Sequence, residues 1–484
     1  MHAPDPEPPG SAPAPRAPRP GRRWPPALAA LLASLAPYGE RAPLGALLLG
    51  LSSGFPIAMI AATLSTRLAE AGMARPAVTA FGVFILVYNF KFLWAPLIDR
   101  FSPPVLGRLV GQRRAWLLVI APLVAASVVW LGTVDPVAEL DRLVIAVFAV
   151  AFFGATFDIV IDAYRTESLE PRQFGPGAGM SQYGWRLGNA GAAALALVVA
   201  ERAGWPMAYA AATFFALPAL LAALLLGEPT RRLEALAAEG APRGGLGATF
   251  VAPLADFLAR PNAGLVLAFI LLHKLGDTMA NLTLRLLFND LGFSKDEVAA
   301  FDVGFGLVAT LAGVLVGGLV YTRIGMMKTM WISLILMAIT NLGFAALALV
   351  GHSNWAMAAA IGFENFASGI GGVAIVAYLS FLCNVRFTAT QFALLSAMAS
   401  IMGRAVSALG AGALIDLMGY PAYYALTTVL AVPGILIFRA LMRRDRELLA
   451  AAEQADRAAR EASAAGPGQV QTGLSYSAAK PPPA

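Results

Sequence analysis

The stretch FDIVIDAYRTE, Phe157 to Glu167, closes an apolar run that begins after Arg142. Asp158 and Asp162 are four residues apart, so on a helix they share a face, one turn above the other. Near the centre of a bilayer each carboxylate costs roughly 2.5–3.5 kcal/mol on insertion scales. Two on one face of a spanning helix need a polar interior to look into. Acids one turn apart lie within about 6 Å and titrate as a coupled unit. The pair therefore reads as a proton-binding element. The competing reading is a helix-end salt bridge to Arg165 or to a loop arginine.

The composition demands such a setting. The 484 residues are 58% hydrophobic and 13% charged, against about 25% charged in soluble domains. Mean hydropathy is +0.68. The long apolar runs make this an all-α polytopic membrane protein; a barrel would show alternating segments of about ten residues. The net charge of +6 sits largely in tails and loops, so it reports topology and not a nucleic-acid partner. Cys383 is the single cysteine, and His2, His273 and His352 lie far apart. Neither a disulfide nor a metal site is expected. No nucleophile–base pattern or phosphate loop appears, so neither an enzyme nor a cofactor is expected.

Twelve spans follow from windows of about 20 apolar residues. Residues 1–42, rich in proline and arginine, are expected to be a disordered cytoplasmic tail. Arg22-Arg23 within it is read as part of a cytoplasmic anchor and not as a twin-arginine signal. A first six-helix bundle occupies 43–226, with spans near 43–66, 77–98, 115–134, 143–164, 177–200 and 205–226. A hydrophilic connector fills 227–261. A second bundle occupies 262–441, with spans near 262–287, 298–322, 327–350, 354–383, 388–415 and 421–441. Residues 442–484 form a charged, then Gly/Ser/Pro-rich, tail. Basic residues gather in alternate loops, at Arg100, Arg108, Arg113, Arg114, Arg231, Arg232, Arg323, Lys328, Arg443 and Arg444. The positive-inside rule then places both termini in the cytoplasm. The halves repeat: GWPMAYA from Gly204 recurs as GYPAYYA from Gly419. The loops LIDRFSPPVLGRLVGQRR and GGLVYTRIGMMK resemble the loop signature of the major facilitator superfamily, which implies two pseudo-symmetric six-helix bundles with a midplane site between them.

Ionisable groups inside spans are candidates for function. Lys91, in VYNFKFLWAP, is read as an inward lysine facing substrate or the aspartates, with Asn89 beside it; snorkelling toward Asp99 and Arg100 is the alternative. Gln182, Arg186 and Asn189 share one face. Arg186 is expected either to pair with Asp158 or to meet substrate. Lys274, Asp277, Asn281 and Arg285 form a stripe at intervals of three, four and four, as on a cavity-lining helix. His273, one position off it, is read as structural. Glu364 and Asn365 open the polar part of the tenth span, with Arg404 as the expected counterpart of Glu364. Asp302 is placed near the outer interface. In the first span, Gly50, Gly54 and Pro56 permit a bend, and Ser52 and Ser53 can satisfy freed backbone groups. This mixed-sign, amide-rich set suits a polar small molecule with carboxylates, not a greasy one.

Several long motifs occur in order: LSSGFP, NFKFLWAPLIDR, DIVIDAYR, HKLGD with LGFSKDEV, GFGLVAT, and ENFASGIG followed by LCNVRFTATQFALLS. Together they resemble the AmpG-type anhydromuropeptide permeases over residues 44 to 437, leaving only the tails outside. The resemblance implies monomeric, proton-driven import of N-acetylglucosamine-1,6-anhydro-N-acetylmuramic acid peptides across the bacterial inner membrane. It also implies a role in cell-wall recycling and, in some bacteria, in β-lactamase induction. Asp158 and Asp162, with Glu364, would couple protons; Lys91, Asn89, Gln182, Arg186, Lys274, Asp277, Asn281, Arg285, Asn365 and Arg404 would meet substrate. The competing expectations are a carrier of another anionic conjugate, such as an acetyl-CoA-like molecule, and a non-transporting factor that helps assemble pigment complexes.

Overall fold

The computed structural model describes residues 34–239 and 245–464. The expected tails therefore fall largely outside the described residues, including Arg22-Arg23 and residues 465–484, as does Arg243 of the connector. Within them, eleven helical stretches are long and apolar enough to cross a membrane. The first four, α1 to α4, are Arg41–Glu70, Arg75–Leu93, Gln112–Thr133 and Leu140–Ser168. The fifth stretch, Pro171–Leu226, has 56 residues, nearly twice a single crossing. It breaks at Gly204 (φ 79°, ψ 167°) into α5 and α6. Then come α7 Ala263–Asp290, α8 Lys295–Ile324, α9 Met326–Val350 and α10 Asn354–Leu382. A last helical run, Thr388–Ala464, breaks at Gly419 (φ 75°, ψ 163°) into α11 and α12. The described residues thus give twelve crossings. The GWP and GYP repeats mark the same break in both halves. Glycine supplies the left-handed φ that other residues resist, and the proline two positions on starts the next helix.

Each half has its own apolar core, one built on α1 to α6 and the other on α7 to α12. In the first half α1 packs most extensively on the α5–α6 run. The reason is glycine. A Cβ on Gly54 would stand 2.2 Å from the Trp185 carbonyl oxygen, and one on Gly188 2.0 Å from that of Leu51. Backbones this close gain dispersion contacts that bulky side chains would forbid. Gly188→Leu cannot be accommodated without parting the two helices. Overpacking costs about 1–3 kcal/mol when a core yields, and more when backbone is the obstacle. The variant is expected to lose its monodisperse peak in size-exclusion chromatography and to melt well below wild type; an unchanged melt would refute this contact.

In the first span the α-helix passes into a π-helical turn at Met59–Thr63, after Pro56. Ser52 satisfies backbone, accepting from the Ala219 N–H at 2.8 Å beside Pro218. The connector is helical in two pieces, Thr230–Glu239 and Leu246–Leu258. Hydrogen bonds join the halves among the described residues, including Thr166–Ser380 (3.2 Å) and Tyr183–Leu311 (2.6 Å). Leu169, Phe174 and Ala178 of the first half also bury against Val314, Tyr321, Val373 and Ala377 of the second. The two halves are closed together at the connector end.

Candidate functional site

Span two loosens where Lys91 sits. Pro96 cannot donate to the turn before it, and residues Lys91–Leu93 tighten into a 3-10 turn. Lys91 is turned inward onto α4 and is 5% exposed. Its Nζ donates to Asp158 Oδ2 and, at 3.3 Å, to Asp162 Oδ2. Ser53 Oγ of α1 donates to Asp158 Oδ1 at 2.5 Å. Arg165, one turn along α4, holds Asp162 Oδ1 at 3.2 Å. The aspartates therefore share one ammonium in a pocket framed by α1, α2 and α4. Neither expected reading of Lys91 as a snorkelling residue nor of the acids as a mere helix-end bridge describes this geometry: a second helix delivers the cation between them.

The second half carries its own acidic cluster. Helix α7 is interrupted between Leu272 and Leu275, so Asp277 lies in the first turn of the segment Leu275–Asp290, where unpaired N–H groups favour an acid. Lys274 Nζ lies 3.7 Å from Asp277. Asn281 donates to Glu364 Oε1 on α10 at 3.1 Å and to the Asp277 carbonyl at 3.0 Å. Both acids are buried. His273 bonds the Ile270 carbonyl at 2.8 Å and packs on Phe269.

Between the clusters stand residues that reach across the seam. Arg186 of α5 has Glu364 as its charged neighbour. The Gln182 amide lies against Gly372 of α10. Arg404 of α11 donates to Asn89 Oδ1 of α2 at 3.1 Å. Several expected partnerships are therefore corrected. Arg186 does not pair with Asp158, because Lys91 occupies that acid. Arg404 does not answer Glu364: Asn281 donates to that acid, and Arg404 is turned to Asn89. The stripe on α7 divides: Arg285 is largely exposed and bridges Asp302 of α8 at 2.6 Å, away from Lys274, Asp277 and Asn281. Asn365 is spent on helix packing, accepting from Thr310 at 2.9 Å and bonding the Ile361 carbonyl.

The model described as Major Facilitator Superfamily matches residues 43–275 and 266–476. An anhydromuropeptide permease of Escherichia coli (strain K12) is 36% identical over 393 residues, which is 81% of this chain and 78% of that protein. The chain belongs to the AmpG-type permeases of the major facilitator superfamily. A putative transporter AmpG 4 of Rickettsia conorii is 31% identical over 392 residues, 81% of this chain and 94% of that one. Among solved structures, the proton:xylose symporter XylE superposes with a TM-score of 0.60 at 14% identity, covering 84% of this chain and 96% of its own. A bacterial homologue of ferroportin gives 0.59 at 14% identity, over 83% and 99%. At these identities the two structures report the shared fold.

At the connector end this AmpG-type chain holds a cluster that the sequence reading treated only as loop charge. Arg113 Nη2 reaches Asp99 Oδ1 at 2.6 Å and Glu167 Oε1 at 2.7 Å, all three buried. Arg232, from the connector, joins Glu167 at 3.2 Å. Asp99 also crosses the seam. It accepts from the Thr390 N–H at 2.8 Å and hydroxyl at 2.7 Å, capping the start of α11. The signal was present in LIDR and in RTE, but both lie where a span ends, so solvent was the simpler partner. Arg165 also links the halves. Besides Asp162 it meets Ser380 of α10 at 3.4 Å and the Phe392 ring of α11 at 5.2 Å, linking the aspartate pair to the closed seam.

Proposed function

We propose that this chain is a proton-coupled importer of N-acetylglucosamine-1,6-anhydro-N-acetylmuramic acid peptides, acting in the bacterial inner membrane with both termini cytoplasmic. The observation that carries the coupling is the buried Lys91 held between the half-buried Asp158 and Asp162. The substrate class comes from the Escherichia coli relative and from the mixed charges and amides at the seam. The arginine-rich connector end is then cytoplasmic, and the conformation described here is the one that loads from the periplasm. The transport unit is taken to be a single chain.

In this scheme a proton from the periplasm enters the Asp158/Asp162 pair and frees Lys91. Arg186 and Arg404, already at the seam, meet muropeptide carboxylates, and Gln182 and Asn281 meet sugar or peptide groups. Glu364 lies near enough to Arg186 to feel its charge, which gives the second acid a part in the same exchange. Rocking of the halves opens the cytoplasmic end, and loss of the proton restores the lysine bridge.

Proteoliposomes given defined anhydromuropeptides on the outside test this. Uptake above equilibrium is expected with an inward proton gradient, collapsing to equilibrium when a protonophore is added. Uptake of an acetyl-CoA-like conjugate in place of the muropeptide would overturn the substrate assignment. Equal accumulation without a gradient would overturn the coupling.

A further inference from the structure

The second connector helix, Leu246–Leu258, has its polarity reversed for a helix at a water-facing surface. Its exposed positions are Gly247, Phe250, Val251, Leu254, Ala255 and Leu258, one unbroken stripe at spacings of three and four without a polar side chain. Phe250, Val251, Leu254 and Leu258 are 44%, 63%, 43% and 51% exposed. The polar residues of the helix point inward. Thr249 takes a hydrogen bond from Arg100 at the end of span two, and Arg100 also holds the Gly245 carbonyl at 2.8 Å. Asp256 accepts from Asn384 and from Gln391 at 2.8 Å each, and from Arg260 at 2.6 Å. Gln391 also donates to the Pro253 carbonyl at 3.0 Å. Arg100 belongs to the first half, and Asn384 and Gln391 to the second, so the helix fastens both.

Water on the outer stripe would leave four large apolar side chains solvated while the polar ones are buried, the inverse of ordinary amphipathicity. Lipid removes that conflict. With 13 residues the helix is about 20 Å long, too short for a core of about 30 Å. Its C-terminal end lies a few residues before the apolar span Ala263–Asp290, and its inner face rests on the ends of spans two and eleven. It is therefore level with the membrane boundary and continuous with the lipid-facing belt. We infer that Leu246–Leu258 is an interfacial helix whose outer face is embedded in bilayer lipid at the connector end, while its polar inner face staples the two halves. Half-buried Asp256 fits that inner role: desolvation opposes its charge, but the hydrogen bonds from Gln391, Arg260 and Asn384 prevail and hold its carboxyl below the usual range.

The test uses the full chain with Cys383→Ser, reconstituted in phosphatidylethanolamine–phosphatidylglycerol vesicles. Single cysteines replace Val251, Leu254 or Leu258, with Glu170 as an exposed control in the loop at the same end, and each carries an environment-sensitive fluorophore. At the three helix sites, emission is expected at shorter wavelength than at Glu170. Quenching there by a lipid bearing a nitroxide on its upper acyl chain is expected to be severalfold stronger than at Glu170, and quenching by aqueous iodide severalfold weaker. Iodide quenching equal to that at Glu170 would overturn the inference, because it would place the stripe in water. Protection from both quenchers would also overturn it, because another protein surface or a second copy would then cover the stripe. Both outcomes are independent of whether the chain transports muropeptide.

Discussion

Lys91→Ala is expected to abolish gradient-driven accumulation and to lower the initial rate of proton-driven uptake by on the order of 100-fold. The substitution removes the one ammonium that lies between Asp158 and Asp162. Breaking a buried ion pair from one side costs about 3–5 kcal/mol, because the remaining charge keeps its desolvation penalty; each 1.4 kcal/mol is a factor of ten. Here two acids are left, with Ser53 and Arg165 as their remaining partners. Without a cation to trade the proton against, the pair is uncoupled from the gradient. Downhill exchange of labelled for unlabelled substrate should survive, since Arg186 and Arg404 are untouched. That split separates a coupling role from simple misfolding. Asp158→Asn with Asp162→Asn should give the same phenotype by the opposite route. Wild-type accumulation in either variant at an imposed pH gradient would sink the scheme.

Asp99→Ala is expected to open the connector end. One side chain is lost, but four contacts go with it: the Arg113 and Arg232 ion pairs, the cap on α11 and the cross-seam bond to the Thr390 hydroxyl. Loss of a helix cap costs about 1 kcal/mol, and a broken buried charge contact costs about 3–5 kcal/mol. The same side chain joins the two halves, so the loss falls on the closed arrangement and not on either bundle alone. A shift of the open-to-closed ratio by on the order of 100-fold follows from about 3 kcal/mol. Spin labels at the exposed positions Glu170 and Lys328 report it by double electron–electron resonance, as a longer distance taking over from a shorter one. An unchanged distribution would show that the cluster does not hold the ends together. Asp99→Asn should do less, because the amide oxygen still accepts from α11.

Much of this protein could be read from its residues in order. A run of about twenty apolar residues has few alternatives to a membrane helix, so twelve crossings were legible, and the GWP and GYP repeats marked both internal breaks. That Asp158, Asp162 and Lys91 stand inside spans and need polar partners was legible too, because charge in lipid is expensive wherever it occurs. Helical periodicity also showed which residues share a face. It could not show what each face meets. Whether Asp158 would find Arg186 or Lys91, and whether Arg404 would find Glu364 or Asn89, depends on the rotation and crossing of helices far apart in the chain. Those are set by the glycine contacts that let α1 close on α5 and by the seam between halves. Arg285 shares a face with Asp277 and Asn281, and Asn365 follows Glu364 directly, yet Asp302 and Thr310 claim them from α8. Asp99 and Glu167 looked like solvated span ends until Arg113, Arg232 and the start of α11 enclosed them. The local cost of charge and of exposed backbone acts within one helix, so the amino-acid order alone determined the helices and their charged positions. Partnership acts between helices, and only the packed bundle decided it.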